Sequence, residues 1–179
     1  MNNILEYGAQ CLRDEANALE NLISQLDNNF AEAIELMLSC KGKIIVTGVG
    51  KSGHIGEKVA ATLSSTGTPA FFMNPLDAYH GDLGGITSDD IVLAISNSGN
   101  TDELLRFIPI LLHMNVPIIG MSSDTKSLLA KYSKAHILVK VEKEACPLNL
   151  APTSSTTAQL AMGDALAITL MRIRKFQQT

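Results

Sequence analysis

The chain has 179 residues, of which 46% are hydrophobic and 18% are charged, and its formal net charge is −4. This length and composition predict one globular domain that buries most of its apolar surface, and they exclude a disordered chain. The negative charge disfavours general binding to nucleic acid or to an anionic membrane, so any anionic ligand must be held by local donors.

The three cysteines, Cys11, Cys40 and Cys146, lie far apart and lack the spacing of a metal site. We expect them to be reduced thiols. The N-terminus has no signal-peptide pattern, and the most apolar run, residues 160–171, is too short to span a membrane. The sequence therefore predicts a cytoplasmic protein with no membrane partner.

The N-terminal region predicts two helices. In the first, apolar residues recur alternately four and three positions apart, as in a seam that packs against a helix of this chain or of another copy. This N-terminal seam consists of Leu5, Ala9, Leu12, Ala16, Leu19, Ile23 and Leu26. The second helix follows Asp27 and buries a stripe consisting of Phe30, Ala33, Ile34, Met37 and Leu38.

Five short apolar segments predict β-strands, and helical patterns separate them. The third strand shows no polar alternation, as in a parallel sheet covered on both faces. The order predicts an α/β fold with a five-stranded, doubly wound parallel sheet of the flavodoxin-like kind. The predicted strands are residues 43–47, 69–73, 91–95, 117–121 and 136–141. We expect N-terminal helices over 1–40, the doubly wound core over 43–141, and a loop with a C-terminal helix over 142–179.

A small polar turn follows the third strand and precedes a helix. Backbone N–H groups at a helix N-terminus attract anions, and the hydroxyls of Ser96, Ser98 and Thr101 add donors, so this turn suits a phosphate group. The alternative is an ordinary turn in which Asn100 caps the helix and Glu103 completes a capping box.

A second turn, residues 48–56, follows the first strand. Its glycines are too close together for a P-loop, and no acidic residue follows at the position that a dinucleotide site needs. The turn brings backbone close to a ligand, with Lys51 and Ser52 at its tip. Both turns lie at carboxyl ends of strands, where doubly wound sheets bind ligands, and this favours a phosphate site.

The C-terminal part predicts an irregular loop and then a helix over residues 156–175. That helix is apolar nearly all round, so it must be buried on all sides, which one small domain rarely achieves. Together with the N-terminal seam, it predicts a homo-oligomer.

Four segments form a set that points to one family. They are residues 48–54 (GVGKSGH), 80–84 (HGDLG), 96–99 (SNSG) and 144–157 (EACPLNLAPTSSTT). Together they resemble the arabinose-5-phosphate isomerases, a branch of the sugar isomerase (SIS) domain family, over nearly the whole chain. The resemblance implies an SIS-type α/β fold and a tetramer with active sites between subunits. It also implies interconversion of D-ribulose 5-phosphate and D-arabinose 5-phosphate, towards the lipopolysaccharide sugar Kdo, without a metal or organic cofactor.

By motif, the resemblance implies that Lys51, His80, Glu103 and Glu144 are active-site residues. Glu144 or His80 can carry a proton between C1 and C2, and Lys51 can stabilise the enediolate oxygen. The sequence leaves open which group has which role. The residues expected to hold the sugar phosphate are Gly50, Ser52, Ser96, Asn97, Ser98, Thr101, Ser154, Ser155 and Thr156.

Two features depart from the pattern of that branch. Its members commonly continue into a histidine-bearing segment and paired CBS domains, and this sequence stops at Thr179, so we expect this chain to bind substrate but to turn it over slowly. Residues 74–79 also differ from the commoner His-Pro-x-Glu-Ala pattern. Two other functions therefore remain open: a non-catalytic sugar-phosphate-binding regulatory module, and an isomerase for another sugar phosphate.

Overall fold

The computed structural model describes residues 3–78 and 81–175. Its helices and strands alternate as the sequence predicts, with two helices before the first strand. The strands are β1 (Ile44–Gly48), β2 (Ala70–Phe72), β3 (Ile91–Ile95), β4 (Ile118–Ser122) and β5 (Ala135–Leu138). The helices are α1 (Ile4–Ile23), α2 (Asn28–Ser39), α3 (Gly50–Ser65), α4 (Pro75–Ala78), α5 (Asp102–His113), α6 (Leu128–Tyr132) and α7 (Ser154–Ile173), with a 3₁₀ turn at Asp82–Gly85.

The five strands form one parallel sheet in the order β2-β1-β3-β4-β5. This is the flavodoxin-like order, in which the chain reverses direction beside β1 and leaves a crevice at the carboxyl ends of β1 and β3. All residues of β1, β3 and β4 are buried. The predicted fold class is therefore confirmed, and four of the five strands differ from the prediction only at their ends.

Alternate side chains of β1, β2, β3 and β4 enter two separate cores. Ile44 and Val46 of β1 pack in one core with residues of α2, α3 and α7, whereas Ile45 packs in the other with residues of α4, α5 and α6. This alternation explains why the strands are apolar throughout, because both faces of the sheet are covered by helices.

The N-terminal helix uses a different face from the predicted seam. Its buried residues are Ala18 and Leu22, and α1 packs against α7. Leu5 and Leu12 of the seam are 86% and 71% exposed. The face of α1 that packs against α7 thus lies beside the seam, and most of the seam faces away from the rest of the protein.

Within residues 3–78 and 81–175, no helix combines the length and the hydropathy that crossing a bilayer requires.

Candidate functional site

A cleft of about 400 Å³ opens where the chain leaves the carboxyl ends of β1 and β3. The N-terminal parts of α3, α5 and α7 surround it, together with the loop before α7. Two charged side chains, Lys51 and Glu144, contribute to its wall. The complete lining is Val49, Lys51, Ser52, Asn97, Ser98, Thr101, Glu144, Asn149, Leu150, Pro152, Ser155, Thr156 and Gln159.

The turn between β3 and α5 is held together by Ser96. Its Oγ accepts a hydrogen bond from Gly99 N at 3.0 Å and lies 2.8 Å from Thr101 Oγ1. Ser96 is only 3% exposed and does not line the cleft. Its hydroxyl therefore shapes the turn from behind, while Ser98 and Thr101 reach the cleft.

The alternative of an ordinary capped turn is wrong. Helix α5 begins at Asp102 with Thr101 at the N-cap position, and the Thr101 side chain makes no capping hydrogen bond. Asn100 instead forms a local turn in which its N–H donates to Ser98 Oγ at 3.1 Å. The first N–H groups of a helix have no partner within the helix. At α5 they are therefore left for an anion or for water.

The loop after β4 and the start of α6 hold this turn by hydrogen bonds. Ser123 donates to Asn97 O through its N–H at 2.9 Å and through its hydroxyl at 2.7 Å. Leu129 N donates to Gly99 O at 3.0 Å. Since these bonds engage the carbonyl groups of Asn97 and Gly99, these two acceptors are not left to repel a phosphate in the cleft.

The segment predicted as a glycine turn after β1 is largely the first part of α3. Gly50 has φ +60°, which lets the chain enter the helix immediately after the strand. A Cβ on Gly53 would lie 2.9 Å from Gly48 O, so glycine is needed where the helix crosses the strand end. This packing puts Lys51 and Ser52 in the first turn of α3, whose N-cap residue, Val49, also provides no side-chain cap.

Glu144 occupies the N-terminus of α7. Its Oε2 accepts hydrogen bonds from Thr153 N at 2.8 Å, Thr153 Oγ1 at 3.0 Å and Ser155 N at 3.1 Å. Partial burial alone would raise the pKa of Glu144, but the bonds from Ser155 and Thr153 outweigh it and hold the pKa below its usual value. Glu144 is therefore an anion at neutral pH.

The three helix N-termini around the cleft thus differ in the donors that they still offer. At α7 the Glu144 carboxylate already fills the place of an anion, whereas the ends of α3 and α5 carry no side-chain cap. Negative charges are favoured at helix N-termini, and two anions sharing one terminus repel each other. The geometry therefore favours a phosphate near α3 and α5, with Glu144 on the opposite wall.

The hydroxyl run before α7 is used differently from the prediction. The helix begins at Ser154, two residues earlier than predicted, and Ser154 is fully buried outside the cleft lining. Its Oγ has no hydrogen-bond partner in the described parts of the chain. Ser155 and Thr156 do line the cleft, although Ser155 N already donates to Glu144.

The structure brings most of the sequence-predicted residues to the cleft but not all of them. Glu103, in the first turn of α5, and Gly50, at the start of α3, do not line it. His80 lies outside the described residues. Sequence reasoning missed Asn149, whose Oδ1 accepts from Glu144 N at 2.8 Å, and Gln159, which lies one turn beyond Ser155 on α7. Across the described ranges, no group of three or more His, Cys, Asp or Glu side chains is arranged to hold a metal ion.

Comparison with known proteins assigns the chain that forms this cleft to a family. A model of the SIS domain matches residues 37–169. The chain belongs to the SIS domain family. The similarity to arabinose 5-phosphate isomerases that the four motifs indicate is also confirmed. Arabinose 5-phosphate isomerase KdsD of Escherichia coli K12 is 52% identical over 171 residues, which are 96% of this chain and 52% of that relative.

Two further relatives extend the comparison with this SIS domain. KdsD of Francisella tularensis is 49% identical over 181 residues, covering 99% of this chain and 55% of that relative. The chain thus spans about half the length of the curated relatives it matches. A solved structure of E. coli CFT073 c3406 in complex with arabinose 5-phosphate is 40% identical with a TM-score of 0.95, covering 99% of this chain and 94% of that one.

Proposed function

We propose that this SIS domain is an aldose–ketose isomerase that interconverts D-ribulose 5-phosphate and D-arabinose 5-phosphate. One observation carries the proposal: the cleft joins two uncapped helix N-termini, a lysine and an ionised glutamate. The helix N-termini offer a site for an anion, and the lysine offers a cation for an enediolate. The glutamate offers a base for a carbon-bound proton. The similarity to c3406, whose structure holds this sugar phosphate, supports the choice of arabinose 5-phosphate.

These groups support the following course for the isomerisation. The phosphate binds near Ser98, Thr101 and the N-terminus of α5, with Gly50, Ser52 and Asn97 beside it. Glu144 takes the proton from C2 of the aldose and returns it to C1, which yields the ketose. Lys51 stabilises the negative charge that develops on the enediolate oxygen.

Two predicted active-site residues have roles that depend on the assembly. His80 is proposed to move protons on the substrate oxygens. Glu103 does not line the cleft of its own chain, so we propose that it serves an active site formed between subunits. The proposed setting is the cytoplasm, in the synthesis of Kdo for lipopolysaccharide.

The experiment that tests this function is an NMR assay of the conversion. Ribulose 5-phosphate is incubated with the chain, and the anomeric proton signals of arabinose 5-phosphate are followed over time. Ribose 5-phosphate and fructose 6-phosphate serve as parallel substrates, because another sugar-phosphate isomerase of this family would act on one of those instead. Binding of arabinose 5-phosphate without any conversion would favour the regulatory module.

The phosphate site gives a prediction that separates two neighbouring serines. Ser98→Ala is expected to weaken binding of arabinose 5-phosphate by roughly 1–3 kcal/mol, because it loses a hydrogen bond to a charged group. Its unfolding should be nearly unchanged, since Ser98 is exposed in the turn. Ser96→Ala is expected to lower the free energy of unfolding as well, because it removes the buried hydroxyl that accepts a hydrogen bond from Gly99 N.

Calorimetry of ligand binding and urea unfolding measure the two effects of these variants. Ser123→Ala is a third variant. It removes the hydrogen bond from the Ser123 hydroxyl to Asn97 O, which helps to hold the turn, and Ser123 does not line the cleft. It should therefore affect binding less than Ser98→Ala does. Unchanged affinity in Ser98→Ala would place the phosphate elsewhere.

A second prediction concerns assembly. We propose a homo-tetramer, because Leu5, Leu12 and other seam residues of α1 are exposed in the single chain. Sedimentation at micromolar concentration should give four times the chain mass of 19.2 kDa. Leu12→Glu should lower the association state, whereas Asn17→Glu, an equal charge on the exposed part of α1 outside the seam, should not. A stable wild-type monomer would rule out the tetramer.

A further inference from the structure

Gln159 and Ser155 are the most deeply buried polar side chains in the wall of the cleft. Gln159 is 2% exposed, and it lies on α7 between the buried residues Ala158 and Met162. Its Oε1 accepts a hydrogen bond from Ser52 Oγ at 3.2 Å. Its Nε2 has no hydrogen-bond partner in residues 3–78 and 81–175, although Gln159 lines the cleft.

One end of this amide lacks a hydrogen bond whichever way the amide group is oriented. A serine hydroxyl can donate or accept, so Ser52 can hold either the oxygen or the nitrogen of Gln159. In both orientations one end of the amide is bonded to α3 and the other end remains for a group in the cleft. The free end needs a partner such as water or a ligand group in the cleft, whereas a leucine of similar size would need none.

The Gln159 amide carries no charge, so it suits an uncharged group of the ligand. Lys51 and the N-termini of α3 and α5 already provide positive potential for a phosphate dianion. A neutral amide adds little to the attraction of an anion, but it discriminates strongly between ligands with and without a correctly placed neutral oxygen.

We infer that Gln159 contacts the substrate and selects it by a hydrogen bond to an uncharged oxygen of the sugar, a hydroxyl or the carbonyl. Through Ser52 the same side chain fixes the hydroxyl in the first turn of α3. The inference rests on the proposed function, because that function puts a sugar phosphate in this cleft. Gln159 thereby determines which sugar is accepted, while the turn around Ser98 determines that it carries a phosphate.

The test compares the affinities of Gln159→Leu for two ligands. Calorimetry with arabinose 5-phosphate should show affinity lowered about 10-fold or more, whereas inorganic phosphate, measured by competition, should bind the variant and the wild type equally. The melting temperature should be unchanged or higher, since the substitution removes a buried, partly unpaired amide. Gln10→Leu, the same change at an exposed position of α1, is the matched control and should bind both ligands as the wild type does.

A double-mutant cycle separates direct contact from an effect that passes only through Ser52. In a Ser52→Ala background, Gln159→Leu should still weaken arabinose 5-phosphate binding further. If it has no further effect there, or if both ligands weaken equally, the inference is wrong. Gln159→Met provides a second variant with a flexible side chain if the leucine does not fold. Failure of the wild type to bind arabinose 5-phosphate would defeat the proposed function, whereas equal binding by the wild type and Gln159→Leu would defeat this inference alone.

Discussion

Glu144→Gln is expected to lower turnover of arabinose 5-phosphate by about 10²–10⁴-fold, the usual contribution of a general base. Glutamine keeps the size of the side chain and one oxygen that can accept from Thr153 and Ser155, so α7 should remain capped. Substrate affinity should change much less than turnover, because we propose that the phosphate binds at α3 and α5, away from Glu144. Steady-state kinetics with the NMR assay separate the two quantities.

The matched control for this variant is Glu142→Gln, the same change at an exposed position two residues earlier. It should leave turnover unchanged. If Glu144→Gln also had no effect, Glu144 would be only the cap of α7, and the regulatory module would become the better account of the site.

The pH dependence of the cap follows from the lowered pKa of Glu144. A carboxylate whose pKa is lower in the folded state than in the unfolded state stabilises the fold at pH values above its unfolded pKa. That stabilisation is lost as the pH falls through the folded pKa. The difference in unfolding free energy between the wild type and Glu144→Gln should therefore shrink in acid and be constant from neutral pH upwards.

Lys51→Met is expected to lower turnover by about 10²–10³-fold, because it removes the cation that we propose stabilises the developing enediolate. Lys51 is exposed to the cleft and forms no ion pair with the described residues, so its charge is available to a ligand. Methionine keeps the length and most of the apolar stem of the side chain. Circular dichroism and the melting temperature should therefore match those of the wild type.

Lys41→Met is the control for this variant, since Lys41 lies just before β1, at the end of the sheet opposite the cleft. It should have wild-type kinetics. A Lys51→Met enzyme with unchanged kcat and a raised KM would show that Lys51 attracts the phosphate and has no part in the chemical step.

The sheet could be predicted from the sequence because its signals are local. Residues 91–95 are apolar, with Asp90 before them and Ser96 after them, and β3 has these bounds. The beginning of α3 differs from the prediction because glycines normally indicate turns. Gly50 instead has a positive φ, and Gly53 allows a close crossing over β1. Such contacts depend on the tertiary packing and leave no periodic signal.

The site could be predicted in its composition but not in its hydrogen bonds. The turn at Ser96–Thr101 and Lys51 follow strands, so the sheet order brings them together. The cap formed by Glu144 depends on a loop that returns to Thr153 nine residues later, and no local pattern indicates it. Gln159 had one available signal, since it lies four residues after Ser155 and so shares its face of α7.

The most direct test of the central claim is the exchange of solvent deuterium during turnover. The claim is that Glu144 moves a proton between C2 and C1 through an enediolate in this cleft. In D₂O, the wild type should introduce deuterium at C2 of arabinose 5-phosphate and C1 of ribulose 5-phosphate, as followed by NMR, and Glu144→Gln should slow this by about 10²–10⁴-fold. Wild-type protein that binds arabinose 5-phosphate but introduces no deuterium and forms no ribulose 5-phosphate would contradict the claim.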